Sequence, residues 1–166
     1  MCFAHAGPEA TSQHQAALEF AKLVKERSGG KLEVLVFPGS QLGNDSTVIG
    51  AVLGGTIDMM MAGSGNFAGM HGKLDILDIP FLFSDQAHAY KTVEGETGQS
   101  LMKGLEANGL KQLAFWEVGF RSITTKNRVV RVPSDVKGLK IRTTPNPTHV
   151  QARKLLGTNP VPMPFG

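Results

Sequence analysis

The chain has 166 residues, of which 41% are hydrophobic and 19% charged, with a net charge of +3; this is one ordinary domain's worth of globular sequence and not a disordered composition. No run approaches the ~18 apolar residues that a membrane-spanning helix needs. The single cysteine, Cys2, excludes a disulfide framework and a cysteine-based zinc site, and a basic excess this mild is not a nucleic-acid footprint.

Residues 2–5 read as a short strand stub. Thr11 or Ser12 can cap a following helix, whose apolar stripe is Ala16, Ala17, Phe20, Leu23 and Val24 at helical spacing. Gly29 and Gly30 end it, and Leu32 to Phe37 alternates as a strand that Pro38-Gly39 stops. Asn44 or Asp45 can cap a second helix carrying Val48, Ile49, Val52 and Leu53, closed by Gly54-Gly55. Ile57 to Ala62 is a short apolar run bounded by glycines, as a buried strand would be, and a Gly-rich loop follows from Gly63 to Gly72. Ser84 or Asp85 starts a helical stretch broken near Gly95 or Gly98 and ending at Asn108-Gly109. Leu110 to Trp116 is expected to be a strand, Phe120 to Thr125 a second extended stretch, and Pro133-Ser134-Asp135 a turn. Leu139 to Thr143 reads as a strand and Asn146 to Leu156 as a helix, with Pro147 acceptable in its first turn. From Thr158 onward the sequence offers no closing element. Strands alternating with helices predict a parallel or mixed sheet covered on both faces.

Several residues could carry chemistry. Gly63-Ser64-Gly65-Asn66-Phe67-Ala68 satisfies G-x-G-x-x-A after a strand. A dinucleotide site needs that loop to run into a helix in the first strand–helix unit, and Gly69-Met70-His71-Gly72-Lys73 is a poor helix after two earlier ones. A sharp turn and a ligand loop both remain open. No two of the histidines, His5, His14, His71, His88 and His149, stand at i, i+4. A helix-borne metal site is therefore disfavoured, and surface or loop positions are expected for each. There is no G-x-S-x-G elbow, and neither Ser40 nor Ser64 has a visible base. On the expected strand, Lys140 and Arg142 share the face opposite Leu139 and Ile141; Arg121 opens an extended segment after Gly119-Phe120. A guanidinium fork is the natural partner of a carboxylate, and a solvated face or a surface ion pair is the other reading of both arginines. Asn146 can cap the next helix or present its amide to a ligand, capping being the simpler role.

Six phrases taken together resemble one family: Ser12-Gln13-His14-Gln15, Val36-Phe37-Pro38-Gly39-Ser40-Gln41-Leu42-Gly43, Gly55-Thr56-Ile57-Asp58-Met59, Leu77-Asp78-Ile79-Pro80-Phe81-Leu82-Phe83, Gly119-Phe120-Arg121 and Lys137-Gly138-Leu139-Lys140-Ile141-Arg142. They are similar, in this order and over essentially the whole chain, to the DctP-type solute-binding subunit of tripartite ATP-independent periplasmic (TRAP) transporters. The resemblance implies an α/β, two-lobed periplasmic-binding-protein-like fold that closes on a small organic acid. It further implies that Arg142 forms the salt bridge to the substrate carboxylate, that Arg121 assists, and that Asn146 is a polar ligand contact. The loop holding Ser64 and Asn66 becomes a cleft wall, and Asn44 a weaker cleft-lining match. Trp116 and Phe165 are either apolar walls or core. Sialate-binding relatives carry Glu and Arg in that loop, where Gly63 and Asn66 stand here, which argues against a sialic-acid-like substrate.

The same resemblance implies an incomplete fold, mostly lobe one (residues 1–119) plus the start of lobe two (residues 120–166). It implies a longer protein whose signal peptide is absent from Met1-Cys2-Phe3-Ala4-His5, a periplasmic location, and membrane subunits of a TRAP transporter as partners. No cofactor, nucleic acid or catalytic group is called for. The expected function is capture of a carboxylate-containing small molecule such as a C4-dicarboxylate. The alternatives are a nucleotide-dependent α/β enzyme using the Gly63–Ala68 loop, or a ligand-sensing domain of a signalling protein.

Overall fold

The computed structural model describes residues 1–165. They fall into two compact units: Met1–Gly63 with Glu106–Glu117 and the residues from Pro164, and Ser64–Leu105 with Val118–Met163.

The first unit is built on three parallel strands in the order β2-β1-β3: β1 (Cys2–His5), β2 (Leu35–Phe37) and β3 (Met59–Met61). Phe3 lies opposite Val36 on one side and Met59 on the other. Parallel neighbours need crossovers, and two helices supply them, α1 (Ser12–Arg27) between β1 and β2 and α2 (Asp45–Leu53) between β2 and β3. Both start where a side-chain oxygen satisfies an orphan amide: Thr11 Oγ1 accepts from His14 N at 3.3 Å and Asn44 Oδ1 from Thr47 N at 3.1 Å.

Alternation along β1 sends Phe3 to one face and Ala4 to the other. Phe3 packs with Ala17, Val34 and Phe20, and Trp116 stands edge-on to it at a centroid distance of 6.0 Å. Trp116 is thus core in this unit. Ala4 packs with Val48 and Ile57 under α2. Each large side chain buried this way is worth about 1.5–3 kcal/mol relative to exposure.

The second unit contains α3 (Gln86–Glu94), α4 (Glu96–Lys103), β4 (Lys140–Thr143), α5 (Pro147–Leu155) and β5 (Asn159–Pro162). It also contains three short 3-10 segments, Ser64–Phe67, Gly72–Asp78 and Pro133–Val136. Asp85 caps α3 by accepting from His88 N at 2.8 Å. β4 and β5 pair in parallel, Ile141 opposite Pro160 and Thr143 opposite Pro162.

Two expectations are corrected here. The tail after Thr158 does contain an element, β5. Its two prolines lack the N–H that a ladder uses. The donors to β4 come instead from the odd positions, Asn159 N to Leu139 O at 2.8 Å and Met163 N to Thr143 O at 2.9 Å. Conversely, Leu110 to Trp116 is not a strand, nor is Phe120 to Thr125. Their β-forming residues have no ladder partner among the described residues, and β-propensity needs a neighbouring strand to act.

The histidines also depart from the expected surface positions. His88 is exposed, but His5 and His14 are 3% and 7% exposed. They face each other with His5 Nε2 and His14 Nδ1 3.0 Å apart, one proton shared between two rings. His5 Nδ1 is buried without a hydrogen-bond partner. Burial first, and then the neighbouring His14, hold the His5 pKa below its ordinary 6.5. The unfolded chain takes up a proton near pH 6.5 that the folded unit resists, so this contribution to stability is complete above that pH and is lost as pH falls below it. Asp85, Asp135 and Glu33 are held below the usual carboxylate range by hydrogen bonds, so their losses come at more acid pH. Urea unfolding between pH 5 and 8 should therefore show stability declining below about pH 6.5, by at most about 1.4 kcal/mol per pH unit for one group, with a smaller slope in His5→Gln. A flat profile would contradict the pairing.

Candidate functional site

The sequence-predicted anchor, Arg142, lies on β4. Lys140 and Arg142 are exposed while Ile141 is half-buried and Thr143 buried, so the alternation read from sequence holds. Arg142 Nη2 donates to the carbonyl of Met163, just beyond β5, at 2.7 Å. That bond orients the guanidinium from the neighbouring strand. Arg121 is exposed. Burial, followed by the charge of Arg121, lowers the pKa of Arg153 on α5, so this part of the second unit concentrates positive charge.

β4 turns into α5 through Thr144-Pro145-Asn146. Asn146 is 1% exposed, and its amide is fully used. Oδ1 accepts from His149 N at 2.8 Å, which caps α5, while Nδ2 donates to Gly65 O at 3.1 Å and to Asp75 Oδ1 at 2.7 Å. Thr148 donates to the other oxygen of Asp75 at 3.3 Å. Three residues on, Asp78 accepts from Ser64 Oγ at 3.0 Å and from His149 Nε2 at 2.9 Å. An ionised carboxylate only accepts, so Nε2 carries the proton, and the Thr144 hydroxyl bonded to Nδ1 is the donor when the ring is neutral.

The structure therefore brings Arg142, Asn146 and Ser64 into one connected region of the second unit. Asn66 belongs to the same 3-10 turn as Ser64. Asn44, the α2 cap, and Phe165, half-exposed, belong to the first unit. The contact of Ser64, Asp78 and His149 is not a nucleophile's arrangement. In a catalytic triad the imidazole stands between hydroxyl and carboxylate, whereas here the carboxylate stands between hydroxyl and imidazole.

The Gly63–Ala68 loop gains a physical explanation. It enters a 3-10 turn, and α3, the next α-helix, begins only at Gln86, so no helix N-terminus is placed to hold a pyrophosphate there. A Cβ on Gly65 would lie 2.9 Å from Asn146 Nδ2 and 3.1 Å from Asp78 Oδ2. Glycine stands at 65 because two polar side chains close over it.

Sequence reasoning missed Asp75, Asp78 and His149. A signal was present: side chains at i and i+3 eclipse on a 3-10 segment, so Asp75 and Asp78 fall on one side of Gly72–Asp78. Their partners Asn146, Thr148 and His149 lie more than 70 residues away in sequence, where no local pattern reaches. His149, expected on the surface or in a loop, is on α5 with its side chain 10% exposed, because Asp78 compensates its burial.

The pattern of the DctP family, bacterial extracellular solute-binding protein family 7, matches residues 3–166. The chain is 49% identical over 163 residues to the 2,3-diketo-L-gulonate-binding periplasmic protein YiaO of Escherichia coli K12, covering 98% of this chain and 50% of that protein. It is 35% identical over 158 residues to the C4-dicarboxylate-binding protein DctB of Bacillus subtilis, covering 95% and 45%. Among solved structures, a TRAP periplasmic solute-binding protein from Polaromonas sp. JS666 bound to D-erythronate superposes with a TM-score of 0.96 at 34% identity, over 99% of this chain and 55% of that one. The chain belongs to the DctP family of extracellular solute-binding proteins. It spans about half the length of the curated relatives it matches.

Gly65→Ala should destabilise the second unit by roughly 1–3 kcal/mol, the usual cost of forcing volume into a packed site, with the loss read by thermal unfolding. Unchanged stability would mean that the Asn146 and Asp78 contacts are not tight around Gly65.

Proposed function

We propose that this chain is part of a periplasmic solute-binding protein that captures a small organic acid and delivers it to the membrane subunits of a TRAP transporter. Residues 1–119 then belong to lobe one and residues 120–166 begin lobe two, with the remaining half of a relative's length completing both. The observation that carries the reading is Arg142 on the exposed face of β4, held by the carbonyl of Met163. A guanidinium fixed on a strand gives a carboxylate two parallel charged hydrogen bonds, and these strengthen where water is excluded.

Arg121 assists from the neighbouring segment. Ser64 and Asn146 order the site, their polar groups being already engaged within the protein. Asn66, Asn44 and Phe165 are the further candidates for contact with the rest of the ligand. The identity to the diketogulonate-binding relative exceeds that to the dicarboxylate-binding one, which supports a sugar acid over a C4-dicarboxylate. No step of this function requires a nucleotide, metal or nucleophile.

Titration calorimetry of the complete protein against sugar acids and C4-dicarboxylates should show a sugar acid bound most tightly. Arg142→Ala should weaken it by roughly 30-fold or more, the cost of removing one partner of a buried charged pair. Wild-type affinity in Arg142→Ala would remove the anchor, and binding of a nicotinamide or flavin nucleotide in place of acids would favour the enzyme reading.

A further inference from the structure

We propose that Asp78 and His149 are positioning residues for the Arg142 site, a role that rests on the carboxylate reading above. The geometry is a double staple at the corner where β4 becomes α5. Asp75 and Asp78, one 3-10 turn apart, each hold α5 through two bonds or through one bond and a relay. Asp75 is bound by Asn146 and Thr148, and Asp78 by His149, which is itself bound by Thr144. Thr144 is two residues from Arg142, and Thr143 between them is buried. The strand end bearing Arg142 is thus fastened on both sides, by Met163 just beyond β5 and by Thr144 through His149 and Asp78.

Capping alone does not account for this arrangement. Asn146 Oδ1 already caps α5, and a nine-residue helix needs no second carboxylate near its first turn. Asp78 and His149 have side chains only 13% and 10% exposed, and groups buried to that degree are costly unless they stay paired. The pairing consequently tolerates little displacement, which is the property a charged anchor needs if its ligand is to be met in one geometry.

The test uses the complete protein and the acid bound most tightly in the panel, with calorimetric affinity and stoichiometry read beside the melting temperature. His149→Phe removes both ring nitrogens, whereas His149→Gln keeps a nitrogen donor where Nε2 lies. Affinity should fall roughly 10-fold in His149→Phe with stoichiometry unchanged, a coupling of ordinary size for residues sharing one network, and should recover mostly in His149→Gln. Asp78→Asn, which preserves shape and removes the charge, should weaken affinity in the same direction, and it decides the matter if His149→Phe does not fold. Wild-type affinity in Asp78→Asn, or equal loss in the Phe and Gln variants, would overturn the positioning role. If Arg142→Ala loses binding while the His149 and Asp78 variants do not, only this inference fails; if Arg142→Ala binds normally, the carboxylate reading fails with it.

Discussion

A buried polar group must find all of its hydrogen bonds inside the protein, and the second unit is organised around that requirement at Asn146. Its amide oxygen takes an α5 amide, and its two amide hydrogens go to Gly65 and Asp75. Each partner is fixed by a further need. Gly65 has no room for a Cβ, Asp75 takes Thr148, and Asp78, one turn on, takes Ser64 and His149. Leaving any of these unpaired would cost about 1–3 kcal/mol or more per group. The corner therefore holds one arrangement, and the strand that leads into it carries Arg142.

The first unit solves a different problem, that of covering both faces of a parallel sheet. β1 is central and short, so its four residues must serve both layers. Phe3 takes the α1 side and Ala4 the α2 side, and the size difference between them is matched by Phe20 and Trp116 on one face and by Val48 and Ile57 on the other. At the carboxyl end of this strand His5 Nε2 stands 3.0 Å from His14 Nδ1, and burial first, then His14, holds the His5 pKa down.

Local physics was legible in the sequence wherever it acts within a few residues. The caps at Thr11, Asn44, Asp85 and Asn146, the ending of α1 by Gly29 and Gly30 with positive φ, and the alternation that exposes Arg142 all follow from composition and spacing. What depends on a distant partner was not. Leu110 to Trp116 has the residues of a strand and no ladder partner among the described residues, whereas Asn159 to Pro162 has the prolines of a turn and forms a strand because its donors occupy the other positions. The Gly63–Ala68 motif resembled a phosphate loop, and only the approach of Asn146 and Asp78 reveals what its middle glycine accommodates. Asp75, Asp78 and His149 were invisible as a group for the same reason. The exposed face of Arg142 was legible, but the Met163 carbonyl that it meets was not.

The central claim is that Arg142 meets the carboxylate of a small acid from a strand end fixed by its surroundings. A crystal structure of the complete protein with the acid that binds it most tightly tests this most directly. The account predicts the carboxylate in paired hydrogen bonds to the Arg142 guanidinium, with the Asp78–His149 and Asn146–Asp75 contacts intact beside it. A carboxylate bound elsewhere, with Arg142 turned to solvent, would contradict it.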